Sequence, residues 1–553
     1  MNKLKGMKCI GWMSARWRDA AVCFLLFPAL SLLAVVGVDN PLLPQDDMAA
    51  QWDRMGRVVP AVLAYVCFLL WIVRNCRSLH GRMSEVLSWA VMLAAGWQAV
   101  LGLLQIYGFE ASKHSGYAMT GSFFNPGPYA GFLAVAFPLA ADFWFRKSEN
   151  NTRRVLNMAA VCIALLVLCV LPATRSRAAW LAAGCAGLML VGMHRYREYM
   201  KYTVMAVVAA GILGAVGTSL FKQDSASGRL LIWKVCTQAI KDRPLTGHDG
   251  NFGGVYGRYQ EDYFASGRAS DKEKWVAGAP EYAFNEYIQA MVERGVPLTL
   301  SVCLLFALLG YVACKGNDYG TACAGVALAV FAFFSYPLHF PGFWAVMLLL
   351  CIKAGLAWRG KGRIGLTVCI MACFMIYVSR QSAELSGWKD FYEKWSDSRF
   401  LYRYQLYDDA ADAYMQCAET EYEKKPVDFW FEYGHALYKS GKYEEAVGVL
   451  KRAEQLSADA MILNIIGECY EKWSEKENHL LLAEHYYRRS LNRLPERIYP
   501  YYLLAKLYAS PGWEKKEQMR EMARMVLTKK PKVPSPAVEE MKKEMKELLE
   551  KYR

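Results

Sequence analysis

Charge is scarce in this chain. Only 21% of its 553 residues are Asp, Glu, Lys or Arg, and they thicken only after residue 380. A soluble protein of 62.5 kDa seldom has a mean hydropathy above zero. This one averages +0.09 with 54% hydrophobic residues, which excludes a single soluble globule. Zinc-type cysteine spacing is missing too. There are 16 Cys, but most lie inside apolar runs, among them Cys162, Cys169, Cys323 and Cys369, where the thiol acts as a small hydrophobe. The formal charge of +14 would suit a nucleic-acid protein, yet the basic residues flank apolar runs, so no nucleic-acid partner is expected.

What the sequence has in quantity is apolar runs. Bilayer hydrocarbon is about 30 Å thick and needs about 20 residues of helix to cross it. Eleven runs fit, near residues 20–38, 58–74, 85–106, 127–145, 155–173, 178–194, 203–220, 296–314, 319–335, 342–358 and 364–379. The first follows Lys3, Lys5, Lys8, Arg16 and Arg18 like a signal peptide, but with so many later spans it reads as an uncleaved first helix. With the N-terminus inside, nineteen Lys and Arg fall in inner segments and five in the short outer loops. That bias fixes a multi-pass topology whose long loop 221–295 is on the outer side. An odd number of spans puts the tail on the same side. The expected fold is therefore all-α: a polytopic helical bundle over 1–380 and an outer-side domain over 381–553.

That tail changes pattern to amphipathic helices with a period near 34 residues, the tetratricopeptide length. Trp430, Gly434, Gly441, Tyr443, Ala446, Leu450 and Ala453 occupy the large and small packing positions of one unit. A second unit runs through Gly467 and Tyr470, takes an insertion at 474–479 and resumes with Ala483 and Tyr487. A third uses Tyr501, Ala505 and Tyr508. Ala410, Tyr414 and Cys417 form a preceding half unit, and a charged final helix after Pro536 suits a cap. An α-solenoid of this kind predicts a scaffold with a protein partner, or one that packs on the chain's own membrane domain.

Outward-facing arginines are the first candidates for chemistry, because charge at a membrane boundary is costly without a function. Arg175 and Arg177 stand in a minimal outer turn, with Arg177 opening the next span. Arg229, in Gly228-Arg229-Leu230-Leu231-Ile232-Trp233, opens an amphipathic helix of the long loop. A glycine-rich stretch follows, from Pro244 through Gly247, His248 and Gly250 to Tyr256, suited either to close backbone approach to a ligand or to plain turns. The segment Glu281 to Gly295 reads as a helix with Glu281, Asn285 and Gln289 along one face. Asn125 closes the outer loop Gly121–Pro126 just before a span.

Taken in order, Gly121 to Pro126, Ser176-Arg177-Ala178, Arg229 to Trp233, Pro244 to Gly250 and Asn285 to Gly295 resemble the superfamily of O-antigen ligases, O-antigen polymerases and protein O-oligosaccharyltransferases. The resemblance covers residues 60 to 355. It implies transfer of a glycan from an undecaprenyl diphosphate carrier to a hydroxyl acceptor, on lipid A core, another repeat unit or a protein Ser or Thr, at the outer face of a bacterial inner membrane, which would make the long loop and the repeats periplasmic. No nucleotide sugar, metal or other cofactor is implied. Arg175, Arg177 and Arg229 would then grip the diphosphate, since guanidinium pairs with phosphate oxygens bidentately and stays charged. Asn125, Gly247, Gly250 and Tyr256 would line the substrate. The acceptor hydroxyl needs a base as it attacks. Here the sequence departs from the ligases, which carry His before the Asn of the long-loop motif where this chain has Phe284. Glu281, His248 and Glu293 are the alternative bases beside Asn285, with His339 in a short outer turn near the same face. A polymerase, or a non-enzymatic scaffold or transporter that lost activity with the His, is the competing reading. A transporter should carry ionisable groups near mid-membrane, whereas the exceptions here, Asp142 and Lys353, lie near inner ends.

Overall fold

The computed structural model describes residues 55–56, 58–59, 80–199, 201–209, 211, 223–248, 251–358, 372, 375–380 and 383–552, and among these all regular structure is helical. The helices are α1 (His80–Ile106), α2 (Pro126–Ala141), α3 (Asn151–Val170), α4 (Arg177–Arg195), α5 (Gln223–Asp242), α6 (Phe252–Ala265), α7 (Asp271–Val276), α8 (Glu286–Arg294), α9 (Val296–Lys315), α10 (Tyr319–Phe334) and α11 (Pro341–Ala357). They continue as α12 (Trp388–Arg403), α13 (Tyr407–Ala418), α14 (Val427–Lys439), α15 (Tyr443–Leu456), α16 (Ala460–Lys472), α17 (His479–Arg493), α18 (Tyr499–Tyr508), α19 (Lys516–Thr528) and α20 (Pro536–Lys551). Two compact bodies emerge. One holds Met1–Phe221, Phe284–Glu286 and Leu300–Leu385; the other holds Lys222–Ala283, Tyr287–Thr299 and Ser386–Arg553.

Four helical stretches, Met83–Ile106, Pro126–Phe145, Asn151–Thr174 and Val296–Lys315, are long and apolar enough to cross a membrane, and Tyr319–Phe334 and Pro341–Ala357 are shorter apolar helices. The expected runs near 20–38, 58–74, 203–220 and 364–379 lie wholly or partly outside the described residues. In the first body α2 is the central element, packed on α1, α3, α4 and α10. Asn125 starts it by accepting from the Gly127 amide, and Pro126 sits in the first turn, where its missing N–H costs nothing. Lipid offers no hydrophobic drive between helices, so small residues must bring backbones together. Gly131 does so: a Cβ there would stand 2.2 Å from the Phe331 ring of α10. Ala178, Ala179, Ala182, Ala183 and Ala186 give α4 a buried face of the same kind.

Polar groups pin one end of this bundle. Asp142 accepts from Arg146 at 2.7 Å and lies 2.9 Å from His194 Nε2 at the end of α4, whose ring packs edge-on against Tyr319 at the start of α10. Lys353 of α11 donates to Asp318 and, at 2.6 Å, to Thr321 Oγ1, while Ser84 of α1 donates to Asp318 at 3.4 Å. Every ionised group of this buried set has an opposite charge beside it, the condition for tolerating charge in an apolar surround. The alternation of α2, α4 and α10 then gathers the start of α2, the start of α4 and the end of α10 at the opposite end of the bundle.

The second body unites loop and tail. Residues 388–528 form antiparallel helix pairs, α12 with α13, α14 with α15, α16 with α17 and α18 with α19, each pair packing on the next and α20 closing the series. The expected half unit is thus a whole pair, because α12 precedes it. The division at 380 assigned the loop to the membrane domain; its helices α5, α6 and α7 instead share a body with the array, α6 lying on α15 and α17.

Candidate active site

At the end of the first body opposite the polar cluster, the loop 107–125 hangs from two glutamines of α1. Gln105 accepts from the Thr120 and Gly121 amides at 2.9 and 2.8 Å and donates to the Gly121 carbonyl; Gln98 accepts from the Ser122 amide at 3.0 Å. Both glutamines are buried, and their polar ends give the loop backbone the partners it would otherwise find in water. Asn125, fixed as the cap of α2, donates to the Tyr336 hydroxyl at 3.5 Å. Arg175 is exposed and ends the turn Leu171–Thr174 in the left-handed region, at φ 52°; Arg177, half-buried, is the first residue of α4. Trp180 secures this turn by donating to the Leu171 carbonyl at 2.7 Å.

The helix expected from Glu281 begins only at Glu286, so Glu281, Asn285 and Gln289 do not share a helical face. The chain kinks at Phe284, φ 52°, a conformation that a bulky side chain rarely adopts and that marks strain held by its surroundings. The Phe284 ring meets Tyr336 edge-on at 5.6 Å, and Asn285 beside it is buried. Glu286, 6% exposed, accepts from the Leu338 amide, and its Oε1 lies 3.4 Å from His339 Nδ1. Asn125, Phe284, Glu286, Tyr336 and His339 thus meet in the first body. Glu286 and Tyr336 were missed in the sequence because each reads as an ordinary neighbour of a motif residue; only the adjacency of Glu286 to Asn285 hinted at it.

In the second body, Arg229 lies inside α5, which starts at Gln223 instead of at Arg229. One turn on, Trp233 donates to the Ala283 carbonyl at 3.0 Å, so the face carrying Arg229 meets the segment after Pro280. Glu281 is exposed there; desolvation by the surrounding chain, with the Asp428 carboxylate adding repulsion, holds its pKa above the usual carboxylate value. His248 binds its backbone amide to the Val292 carbonyl at 2.9 Å and its Nε2 to the Ala239 carbonyl at 2.8 Å. A carbonyl can only accept, so Nε2 carries the proton, and ring and backbone amide together tie α5 to α8. Gly247, φ 68°, lies where a Cβ would strike the Arg294 amide at 2.4 Å. Glu293 accepts from Gln289 at 3.0 Å, and Gly250 lies outside the described residues.

The later glycines open no ligand loop. Gly253, Gly254 and Gly257 are in α6, pressed on the backbone of 455–458: a Cβ on Gly254 would sit 1.7 Å from the Gln455 carbonyl oxygen. Tyr256 is buried in the same helix and donates to Gln260, which donates in turn to the Arg493 carbonyl at 2.7 Å. Glu261 completes the joint with Arg489 at 2.7 Å and Arg493 at 2.9 Å, both arginines also reaching Glu454.

Residues 162–303 match the family model of O-antigen ligase. This stretch of the chain is similar to O-antigen ligases. It holds Arg175, Arg177, Arg229 and the loop through Glu293, and it supports membership of the O-antigen ligase superfamily for a membrane protein with a glycosyltransferase-like function. No curated protein matches the chain. Among the described residues no group of His, Cys, Asp or Glu has the geometry to hold a metal ion.

Proposed function

We propose that the chain transfers a glycan from undecaprenyl diphosphate to a hydroxyl acceptor, lipid A core or protein Ser or Thr, at the periplasmic face of the inner membrane. The observation that carries this is the O-antigen ligase match over the stretch containing all three arginines. As the glycosidic bond breaks, negative charge grows on the departing diphosphate, and Arg177 and Arg229, with Arg175, stabilise it by charge-assisted hydrogen bonds. The arginine that opens α4 stands where the helix dipole also favours an anion.

The orientation is supported by the second body. A loop between spans and a tail after the last span that share one core lie on one side of the membrane. We read the array as tetratricopeptide repeats: Gly434 faces Leu450 across α14 and α15 just as Gly467 faces Tyr487 across α16 and α17. Its work in this reading is to position the acceptor, or a protein that brings it.

The test is a deletion strain in which lipopolysaccharide, surface polysaccharide and periplasmic glycoproteins are compared with the parent; the glycan that loses its anchor names the acceptor. Restoring the gene with Arg177→Ala or Arg229→Ala is expected to leave transfer reduced on the order of 10²–10³-fold, the scale for losing one donor to a developing anion, with normal membrane content. Full restoration by both variants would remove the proposal.

A further inference from the structure

We infer that the helical array carries a recognition pocket for the basic side chains, arginine first, of an extended polypeptide partner. The inference goes beyond the transferase reading and does not depend on it, since the pocket lies wholly within the array. A cavity of about 380 Å³ opens between α14, α16 and α18, the leading helices of successive pairs, and is bounded also by α20. That is the size of an ordinary ligand pocket. Its walls are the rings of Tyr438, Tyr499 and Tyr502 and the carboxylates of Glu468, Glu471 and Glu544. Helical spacing puts Asn464 on the face of α16 that carries Glu468 and Glu471. Asn464 is 3% exposed and its Oδ1 has no hydrogen-bond partner, an acceptor that an incoming N–H would satisfy. The same stripe runs on to exposed Met461, so the surface is elongated and suits a chain better than a lone amine.

What the cavity leaves unspent selects a cation. Tyr499 and Tyr438 donate their hydroxyls to the two oxygens of Glu468 at 2.6 and 2.7 Å, Tyr502 donates to Glu544 at 2.6 Å, and Glu471 takes the Tyr487 hydroxyl at 2.7 Å. With the hydroxyl donors committed, negative charge and ring faces remain for a ligand. A guanidinium answers both, forking onto carboxylate oxygens and stacking on aromatic faces. Other poorly exposed glutamates of the array are ion-paired: Glu432 with Arg399 at 2.9 Å, Glu484 with Lys515 at 2.7 Å and Glu496 with Lys529 at 2.8 Å. Among the described residues Glu468 and Glu471 make no such pair. Burial, with Glu468 adding repulsion, holds the Glu471 pKa above the usual carboxylate value, and a bound cation offsets that cost. Two ammonium groups border the cavity, Lys472 over the Tyr438 ring at 4.6 Å and Lys506 at 3.9 Å from Glu544. Both lysines are exposed, and against Glu468, Glu471, Glu540 and Glu544 they leave a net charge of −2.

The test reads fluorescence polarisation on the detergent-solubilised full-length chain, with a fluorescein-labelled Gly/Ser peptide bearing a central pair of arginines. Matched peptides carry citrulline, which keeps the shape without the charge, or glutamate. The arginine peptide is expected to bind at least about tenfold more tightly than either, and less tightly as salt is raised. Glu468→Gln combined with Glu471→Gln, both nearly isosteric, should weaken it about tenfold or more, whereas Glu444→Gln with Glu445→Gln, exposed on α15 outside the cavity, should leave it unchanged. Lys472→Met removes a competing cation and should tighten binding, which tests the pocket even where a glutamate variant fails to fold. Size-exclusion profiles verify that each variant is folded. The inference is overturned if the citrulline peptide binds as well as the arginine one, if the folded Glu468 and Glu471 double variant keeps parental affinity, or if Lys472→Met does not tighten binding. Displacement of the arginine peptide by maltoheptaose would reassign the cavity to a sugar and overturn it too. Full transfer activity in both Arg177→Ala and Arg229→Ala would sink the transferase reading and leave these binding results untouched, so the two fall separately.

Discussion

Removing the carboxylate of Glu261 should loosen α6 from the array by an amount that can be worked out from its neighbours. Arg493 is 1% exposed and gains a hydrogen bond from its Nη2 to Glu261 at 2.9 Å; Arg489 bonds the same carboxylate at 2.7 Å. Breaking a buried ion pair by deleting one partner costs about 3–5 kcal/mol, most of it from the charge left behind. Glu454 remains, 3.5 Å from Arg493 and bonded to Arg489, and softens the loss. For Glu261→Ala we therefore expect about 2–3 kcal/mol, an increase in local opening on the order of 30- to 140-fold. Hydrogen exchange at the amides of α6, read in the detergent-solubilised full chain, reports that opening directly. Replacing Glu261, Glu454, Arg489 and Arg493 together by Met or Leu should leave α6 protected, because no desolvated charge is then stranded. Unchanged exchange in Glu261→Ala, or exchange in the fourfold variant as fast as in the single one, would refute this account of the joint.

The array should lose stability in acid through Glu484. Burial pushes this carboxyl up, but hydrogen bonds from Lys515, Tyr508 and Arg488 outweigh it and hold the pKa at about 2. Because the folded value lies below the unfolded one of 4.5, the contribution is present above that pH and is lost as pH falls from there towards about 2. Chemical denaturation should show a drop of about 2 kcal/mol across this window, discounted for partial exposure, and Glu484→Gln should flatten it. In the membrane body, Asp318→Ala strands Lys353 and should sharply cut the yield of folded protein, whereas Asp318→Leu with Lys353→Met should recover it; equal yields for the two would show that the pair carries no penalty.

The apolar helices α1, α2, α3 and α9 and the paired helices α14 and α15 were legible in the sequence because apolar runs and small-residue periodicities are local signals. Partnership across long separations was not. Glycines in Phe252-Gly253-Gly254-Val255-Tyr256-Gly257 look the same whether they turn a loop or let a helix touch a carbonyl, and only the surface of 455–458 decides. Helical spacing also misled at Glu281, where strain at Phe284 breaks the period that Asn285 and Gln289 suggested. For the site, Arg175, Arg177, Asn125 and His339 could be picked out by their place at span ends. Glu286 could not, since its role depends on a turn more than fifty residues away.

The same joint bears on what the array is for. A tethered recruitment module could be cut away at residue 385 with the loop left intact, costing only its partner. Yet α6 carries Gly253, Gly254 and Gly257, each worth about 1 kcal/mol against helix formation relative to alanine, so this segment is a poor helix by itself. Its order comes from the array: the backbone of 455–458 against those glycines, the Arg493 carbonyl on Gln260, and Lys532 donating to the Ala277 carbonyl at 2.9 Å just before Glu281. Truncation after Leu385 should therefore strip exchange protection from α6 and from the segment reaching Ala283, and abolish transfer at any acceptor concentration. A truncated chain whose α6 stays protected, and whose transfer returns when acceptor is supplied in excess, would make the array a recruiter and nothing more.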